Sequence, residues 1–351
     1  MFYRSVRTLV LKTFKNVFIL KTRKYCSDNS RKKWKIMFFG TDGFALKSLE
    51  ELHRAMQDGS MVSELSVVVP APKPHPCLVA KYAKQHNLPI SVWPLPKEKQ
   101  NDCWDFGVVA SFGHLIPSRI INGFPLGMLN IHGSILPRWR GAAPVVHAVM
   151  NGDAETGVTI MRIKPHHFDV GDIVAQESIA IDPHISAVQL TDRLAGMGAN
   201  LLVRCISDLH YHLDRCIPQP SHGVTLAPKI DAKLSHIDWT RLNAAQIYNR
   251  WRATCHLFKL QTFFHGANVK LNAVEPPTTE PFPEMLQNLI DVRPGRIVVD
   301  RTRNLLFVRC QEDWVAIRYV TPHRRPVMSA LDFSNGYLAK KAIGQHYFDV
   351  P

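Results

Sequence analysis

Asn130 and His132 are the residues from which chemistry is most readily built in this sequence; they stand two apart in the stretch GMLNIHG, residues 127–133. On an extended strand that spacing puts both side chains on one face. An amide and an imidazole converging there suit a carbonyl oxygen that gains negative charge while a nucleophile attacks its carbon. On spacing alone the pair reads equally well as loop chemistry, since Gly133 and Pro137 follow closely. A second stretch, Gly40-Thr41-Asp42-Gly43, lies after an apolar run, where a dinucleotide fingerprint would stand. It has only G-x-x-G, and without the intervening glycine the backbone has no close approach to a pyrophosphate. A nicotinamide-dependent reaction is set aside, and these glycines are read as a tight turn.

The elements that must position the pair alternate between strand and helix. KIMFF (35–39), LSVVV (65–69), ISVW (90–93), FGVVAS (106–111) and residues 127–133 read as compact buried strands. Between them, Phe44, Leu49, Leu52 and Met56 approach helical spacing, and CLVAKYAKQHN (77–87) reads as a helix. This alternation predicts an α/β fold, a Rossmann-like and mostly parallel sheet with helices on both faces. Asn130 and His132 then sit at the C-terminal end of a parallel strand, the edge where open α/β sheets bind ligands. VTIMRI (158–163) and DIVAQESIAI (172–181) continue the strands, and a long helix follows with Leu190, Leu194, Met197, Leu201 and Cys205 on one face. Pro218, Pro220 and Gly223 then punctuate a connecting stretch. Beyond a helix over 243–255, short strands at 261–274, 295–300, 304–310 and 314–320 suggest a small, OB-like β-barrel. The expected organisation is a leader (1–34), a catalytic domain (35–212), a linker (213–230) and a C-terminal domain (231–351).

The formal charge of +14 is unevenly placed: residues 1–35 hold eleven Lys/Arg against one acid, Asp28. Val6, Leu9, Val10, Phe14 and Val17 recur among those cations, the pattern of a transit peptide for the mitochondrial matrix. A cytosolic basic tail is the alternative. Lysines interrupt every apolar run there, and no segment reads as a membrane span. Residues 36–212 carry 14 basic and 16 acidic groups, and residues 213–351 carry 18 and 12, so the remaining positive charge lies on the second domain. Seven scattered cysteines without a C-x-x-C pair argue for reduced thiols, against a disulfide framework and against a structural zinc.

The stretch NIHGSILPRWRGAAPV resembles the N-x-H-G-S-L-L-P-x-x-x-G signature of the folate-dependent formyltransferases. Its continuation from Trp139 to Pro144 is most similar to the branch that acts on methionyl-tRNA. IMFFGTDGFAL (36–46), VVASFGHLIP (108–117), ETGVTIM with FDVGDIV (155–174), LAPKI, IDW and MSALDFSNGYL (328–338) extend the resemblance over nearly the whole chain after the leader. It implies transfer of the formyl group of 10-formyltetrahydrofolate to the α-amino group of methionyl-tRNA, with no metal and no covalent enzyme intermediate. It assigns catalysis to Asn130, His132 and Asp169, and folate contacts to Ser134, Ile135, Leu136 and Pro137 together with Phe112 and Gly113.

Two departures accompany it. One additional residue stands before the FDVGD stretch, which leaves Asp172 as the alternative acid. The basic loop that bacterial members carry after the second strand is replaced here by the short, proline-rich Pro70–Pro76. RNA contacts are therefore expected from Lys73, Arg138 and Arg140, and from Lys229, Arg250, Arg252, Arg324 and Arg325 near or in the second domain. The chain is expected to be a monomer. Another formyl-folate enzyme, a hydrolase or small-amine transferase, and a non-catalytic RNA-binding factor remain the rival readings.

Overall fold

A computed structural model describes residues 33–96, 104–277, 283–287, 289 and 292–350; the leader expected over 1–34 lies almost wholly outside the described residues. The chain begins with β1 (Trp34–Gly40), α1 (Gly43–Gln57), β2 (Val62–Pro70), α2 (Leu78–Gln85), β3 (Ile90–Trp93) and β4 (Phe106–Ala110). Then come α3 (Ser118–Ile121), β5 (Met128–His132), α4 (Pro144–Asn151), β6 (Glu155–Arg162), β7 (Ile173–Ala180) and α5 (Ala187–Ser207). These strands form one seven-stranded sheet in the order β3-β2-β1-β4-β5-β6-β7. The first five run parallel, whereas β6 and β7 pair antiparallel at one side.

Local sequence explains these elements. The side chain of Asp42 accepts a hydrogen bond from the Ala45 amide at 3.1 Å and starts α1. Gly40 is required by close approach, because a Cβ there would lie 2.7 Å from that of Ala45. Helix α5 opens with a reciprocal capping box between Ser186 and Gln189. Of its expected face, Leu190, Leu194, Leu201 and Cys205 are buried and Met197 is packed against the core. Phe38, Leu49, Val67, Val108, Ile131 and Leu194 join one core on this helix-covered side of the sheet, and Met37, Phe39, Val68, Phe112 and Met128 form a second cluster.

After α6 (Leu209–Asp214) and an extended passage, α7 (Ala244–Thr254) leads into β8 (Leu260–Phe264) and β9 (Ala267–Val274). Following α8 (Glu284–Gln287) are β10 (Ile297–Asp300), β11 (Leu305–Arg309), β12 (Trp314–Pro322) and β13 (Met328–Ser329), with α9 (Ala330–Phe333) next. The strands make an antiparallel sheet in the order β10-β11-β12-β9-β8, with β13 against β12. Its core gathers Trp239, Phe264, Phe333 and Phe348, with Trp239 and Phe348 stacked at 5.7 Å between centroids.

Candidate functional site

Strand β5 delivers Asn130 and His132 to its C-terminal end, next to β4 on one side and β6 on the other. His132 is 5% exposed. Its Nε2 lies 2.9 Å from the Trp139 carbonyl oxygen, which can only accept, so that nitrogen carries a hydrogen. Its Nδ1 faces Asp169 Oδ1 at 3.7 Å. The Asn130 amide donates to the same Oδ1 at 3.5 Å, and the Gly141 amide donates to Oδ2 at 2.9 Å. Asn130, His132 and Asp169 thus converge on one point, with Asp169 9% exposed and its backbone left-handed at φ +54°. Asp172, the alternative acid, is turned aside: its carboxylate is ion-paired with Lys164 at 2.7 Å.

A buried polar network supports this edge. Thr159, paired with His132 across β5 and β6, donates to the Ser134 carbonyl at 2.7 Å and accepts from the Leu136 amide at 3.1 Å. Gln176 on β7 donates to Thr159 Oγ1 and to the Leu136 carbonyl, both at 2.9 Å. Ser134 is fully buried and donates to the Arg138 carbonyl at 2.6 Å, and Leu136 is buried as well. Of the loop expected to touch folate, Ser134 and Leu136 therefore face inward and hold the loop's shape, while Ile135 and Pro137 are half-buried.

Asp153 anchors the next turn. Arg138 donates to it through Nε at 2.8 Å and Nη2 at 2.6 Å, and the Trp139 indole adds a bond at 2.7 Å. Burial pushes the Asp153 carboxyl up, but these donors and Asn151 outweigh it and hold the group below its ordinary value.

Beside the trio, the residues after β4 form an apolar shelf. Phe112 is buried against Phe39 and Trp93, each at 5.4 Å between centroids. Gly113, His114 and Leu115 are exposed, and their main-chain groups make no hydrogen bond with the described residues. This exposed turn therefore offers main-chain donors and acceptors to a ligand carrying both kinds of group, next to the half-buried Trp93. No group of three or more His, Cys, Asp or Glu with metal-holding geometry occurs among the described residues.

The cations expected to meet RNA divide into two sets. Lys73, Lys229, Arg324 and Arg325 are exposed. Arg138 and Arg140 are half-buried and engaged, Arg138 by Asp153 and Arg140 by Gln219, whose Oε1 accepts from Nε at 2.9 Å and Nη2 at 2.6 Å. Arg250 is half-buried, and desolvation pulls its guanidinium below the ordinary value. Arg252 departs from the expectation altogether: it is 3% exposed and donates to the carbonyls of Ile185 and Val149 and to Asn249. It ties α7 to the N-terminal helices and presents nothing to a phosphate.

Gln219, Asp153, Thr159 and Gln176 escaped the sequence reading. Gln219 sits between Pro218 and Pro220 in a stretch read as linker, and nothing in its neighbours marks it.

Residues 34–206 match the family profile described as formyl transferase, and residues 229–338 match the one described as formyl transferase, C-terminal domain. The mitochondrial methionyl-tRNA formyltransferase of Bos taurus is 38% identical over 308 residues, covering 87% of this chain and 78% of that protein. The methionyl-tRNA formyltransferase of Acidiphilium cryptum is 31% identical over 319 residues, covering 86% and 97%. Among solved structures, an N-formyltransferase from Helicobacter canadensis, in complex with folinic acid and dTDP-3-aminofucose, superposes with a TM-score of 0.59 at 16% identity, covering 81% of this chain and 98% of that one. A sugar 3N-formyl transferase crystallised with dTDP and 5-N-formyl-THF gives a TM-score of 0.57 at 17% identity, covering 84% and 100%. At such identities the two structures show a shared fold.

Proposed function

The chain belongs to the formyl transferase family, and on that premise we propose that it moves the formyl group of 10-formyltetrahydrofolate to the α-amino group of methionyl-tRNA, making the initiator formylmethionyl-tRNA. The observation that carries the proposal is the meeting of Asn130, His132 and Asp169 at the end of β5, beside the exposed turn after β4. Two relatives from distant sources, each matched over most of its length, support the acceptor.

10-Formyltetrahydrofolate supplies a formyl carbon already activated by its bond to nitrogen. Each protein group then has a separate task. Asn130 uses only one of its two amide hydrogens, in a long bond to Asp169, so it is free to turn toward the formyl oxygen as charge develops there. His132 gives its Nε2 hydrogen to the Trp139 carbonyl and turns its Nδ1 toward the Asp169 carboxylate, so that it holds the acid beside Asn130. Asp169 accepts the proton that the attacking nitrogen loses and passes it to N10 of the folate as the bond between N10 and the formyl carbon breaks, releasing tetrahydrofolate, with Gly141 holding one carboxylate oxygen in place. An α-amino group has an ordinary pKa of about 8, so a fraction is neutral near neutral pH and modest base assistance is enough. Phe112 and Gly113 belong to the folate shelf. Lys73, Lys229, Arg324 and Arg325 are the cations free to meet phosphates, which position an RNA without reading its sequence.

The cationic pattern of residues 1–34 and the mitochondrial relatives together favour action in the mitochondrial matrix. No helix among the described residues is long and apolar enough to cross a membrane.

The direct test is formyl transfer from 10-formyltetrahydrofolate to methionyl-tRNA by the parent chain and by His132→Ala. Activity in the parent and a large loss in the variant are expected. A parent without transfer activity, or a variant at the parental rate, overturns the proposal.

A further inference from the structure

We propose that Gln219 is a positioning residue for Asp169, and that the passage from Ile217 to Ala227 is a clamp on the reacting edge rather than a tether between domains. The inference rests on the proposed role of Asp169 in formyl transfer.

The side chain of Gln219 uses its full hydrogen-bonding capacity. Its Nε2 donates to the Asp169 carbonyl and to the Gly171 carbonyl, each at 2.9 Å. Its Oε1 accepts both bonds from Arg140. A primary amide offers two donor hydrogens and two acceptor lone pairs, and all four are engaged. A glutamate of the same shape would still accept from Arg140, but it would set a carboxylate against two carbonyl oxygens.

What the amide holds is a main chain in the left-handed region. Asp169 has φ +54°, a region disfavoured for residues other than glycine. Two residues on, Gly171 packs so tightly that a Cβ would collide with the Arg162 carbonyl. The main chain around Gln219 is fixed from both ends. Ile217 exchanges backbone hydrogen bonds with Ile173 at 2.7 and 2.9 Å. Further on, the Arg140 amide donates to the Thr225 carbonyl at 2.9 Å, the Ala227 amide donates to the Arg140 carbonyl at 2.7 Å, and the Ala143 amide donates to the Ala227 carbonyl at 3.1 Å. Arg140 precedes Gly141, whose amide binds the Asp169 carboxylate. Gln219 therefore closes a ring in which the backbone of Asp169 is held on one side and its carboxylate on the other.

The consequence is specific. Loss of the amide should move Asp169 relative to His132 and Asn130 while leaving the folate shelf and the exposed cations in place. In Gln219→Glu, kcat for transfer to methionyl-tRNA should fall by up to about 10²-fold, the effect of misplacing a reacting group by an ångström. KM for both substrates should stay within about twofold, and the thermal unfolding midpoint should fall by only a few degrees, so that the variant is folded at the assay temperature. Because Gln219 acts through Asp169, the loss should largely vanish in an Asp169→Asn background, where there is no carboxylate left to misplace. Gln219→Met, of similar length and without hydrogen bonds, carries the same test if the glutamate variant does not fold. The inference is overturned by a Gln219 variant that keeps the parental kcat, by a loss that appears only in KM, or by a loss undiminished when Asp169 is already Asn. A parent chain that transfers no formyl group refutes the proposed function and this inference with it; an active parent with an indifferent Gln219 refutes the inference alone.

Discussion

Strand β4 is buried at every position, whereas β12 alternates between buried residues and half-exposed or exposed ones such as Arg318 and Tyr319. The first strand lies in a sheet covered on both faces, the second in one that leaves a face to solvent. A strand covered on both sides has no room for charged side chains along its length, because burying an unpaired charge is costly. Polar chemistry is then driven to its ends, and Asn130 and His132 stand at the end of β5 for this reason. The open sheet carries Lys270, Arg309 and Arg318 on its strands and Arg324 and Arg325 just beyond β12. The buried polar trio and the exposed positive charge are thus separated by how each sheet is packed.

That separation can be broken experimentally. The largest effect is expected at the reacting edge: Asn130→Ala should lower kcat by about 10²–10³ while the affinity for methionyl-tRNA, measured by filter binding, stays close to parental. Equal losses in rate and binding would show that the edge also grips the RNA.

A smaller effect should come from the anchor beneath the signature loop. Asp153→Asn removes a carboxylate bound by Arg138 and Trp139 and should cost about 1.5–3 kcal/mol of stability near neutral pH. Asp153 is held below its ordinary carboxylate value of 3.8, so its contribution is fully present above that value and is lost as the pH falls through the lower, folded-state pKa. The gap in unfolding midpoint between parent and variant should therefore narrow only below pH 3.8. A gap that closes at higher pH would assign the stabilisation to another group.

The smallest effect per residue is expected on the second side of the comparison. Replacing Lys229, Arg324 and Arg325 together by Ala should leave kcat at saturating RNA unchanged and weaken RNA binding. The slope of log affinity against log salt should become shallower by about 0.7–0.9 for each phosphate that the protein no longer neutralises. An unchanged slope would remove these three cations from the RNA-binding surface.

Much of the fold is legible in the order of the residues. Buried parallel strands read as apolar runs, so ISVW falls at Ile90–Trp93 and FGVVAS within one residue of β4. The face of α5 follows from its spacing. Asn130 and His132 are legible because a two-residue offset on a strand is a local fact. The direction of β6 and β7 is not legible: an apolar run has the same pattern whichever way its neighbour runs. Nor can pattern tell Arg252 from its neighbour Arg250, since only the helices packed against α7 decide which guanidinium is enclosed.

What the sequence alone determined is therefore the buried strands of the first sheet, the helices α1, α2, α5 and α7, the strand end bearing Asn130 and His132, and the family signature around them. Each depends on residues close together in the chain. The tertiary structure alone decided which acid faces His132, which cations are free, and that the passage through Gln219 returns to the reacting edge. Those outcomes depend on groups tens of residues apart, such as Gln219 and Asp169, and on hydrogen bonds that one buried amide completes only when both distant partners are in place.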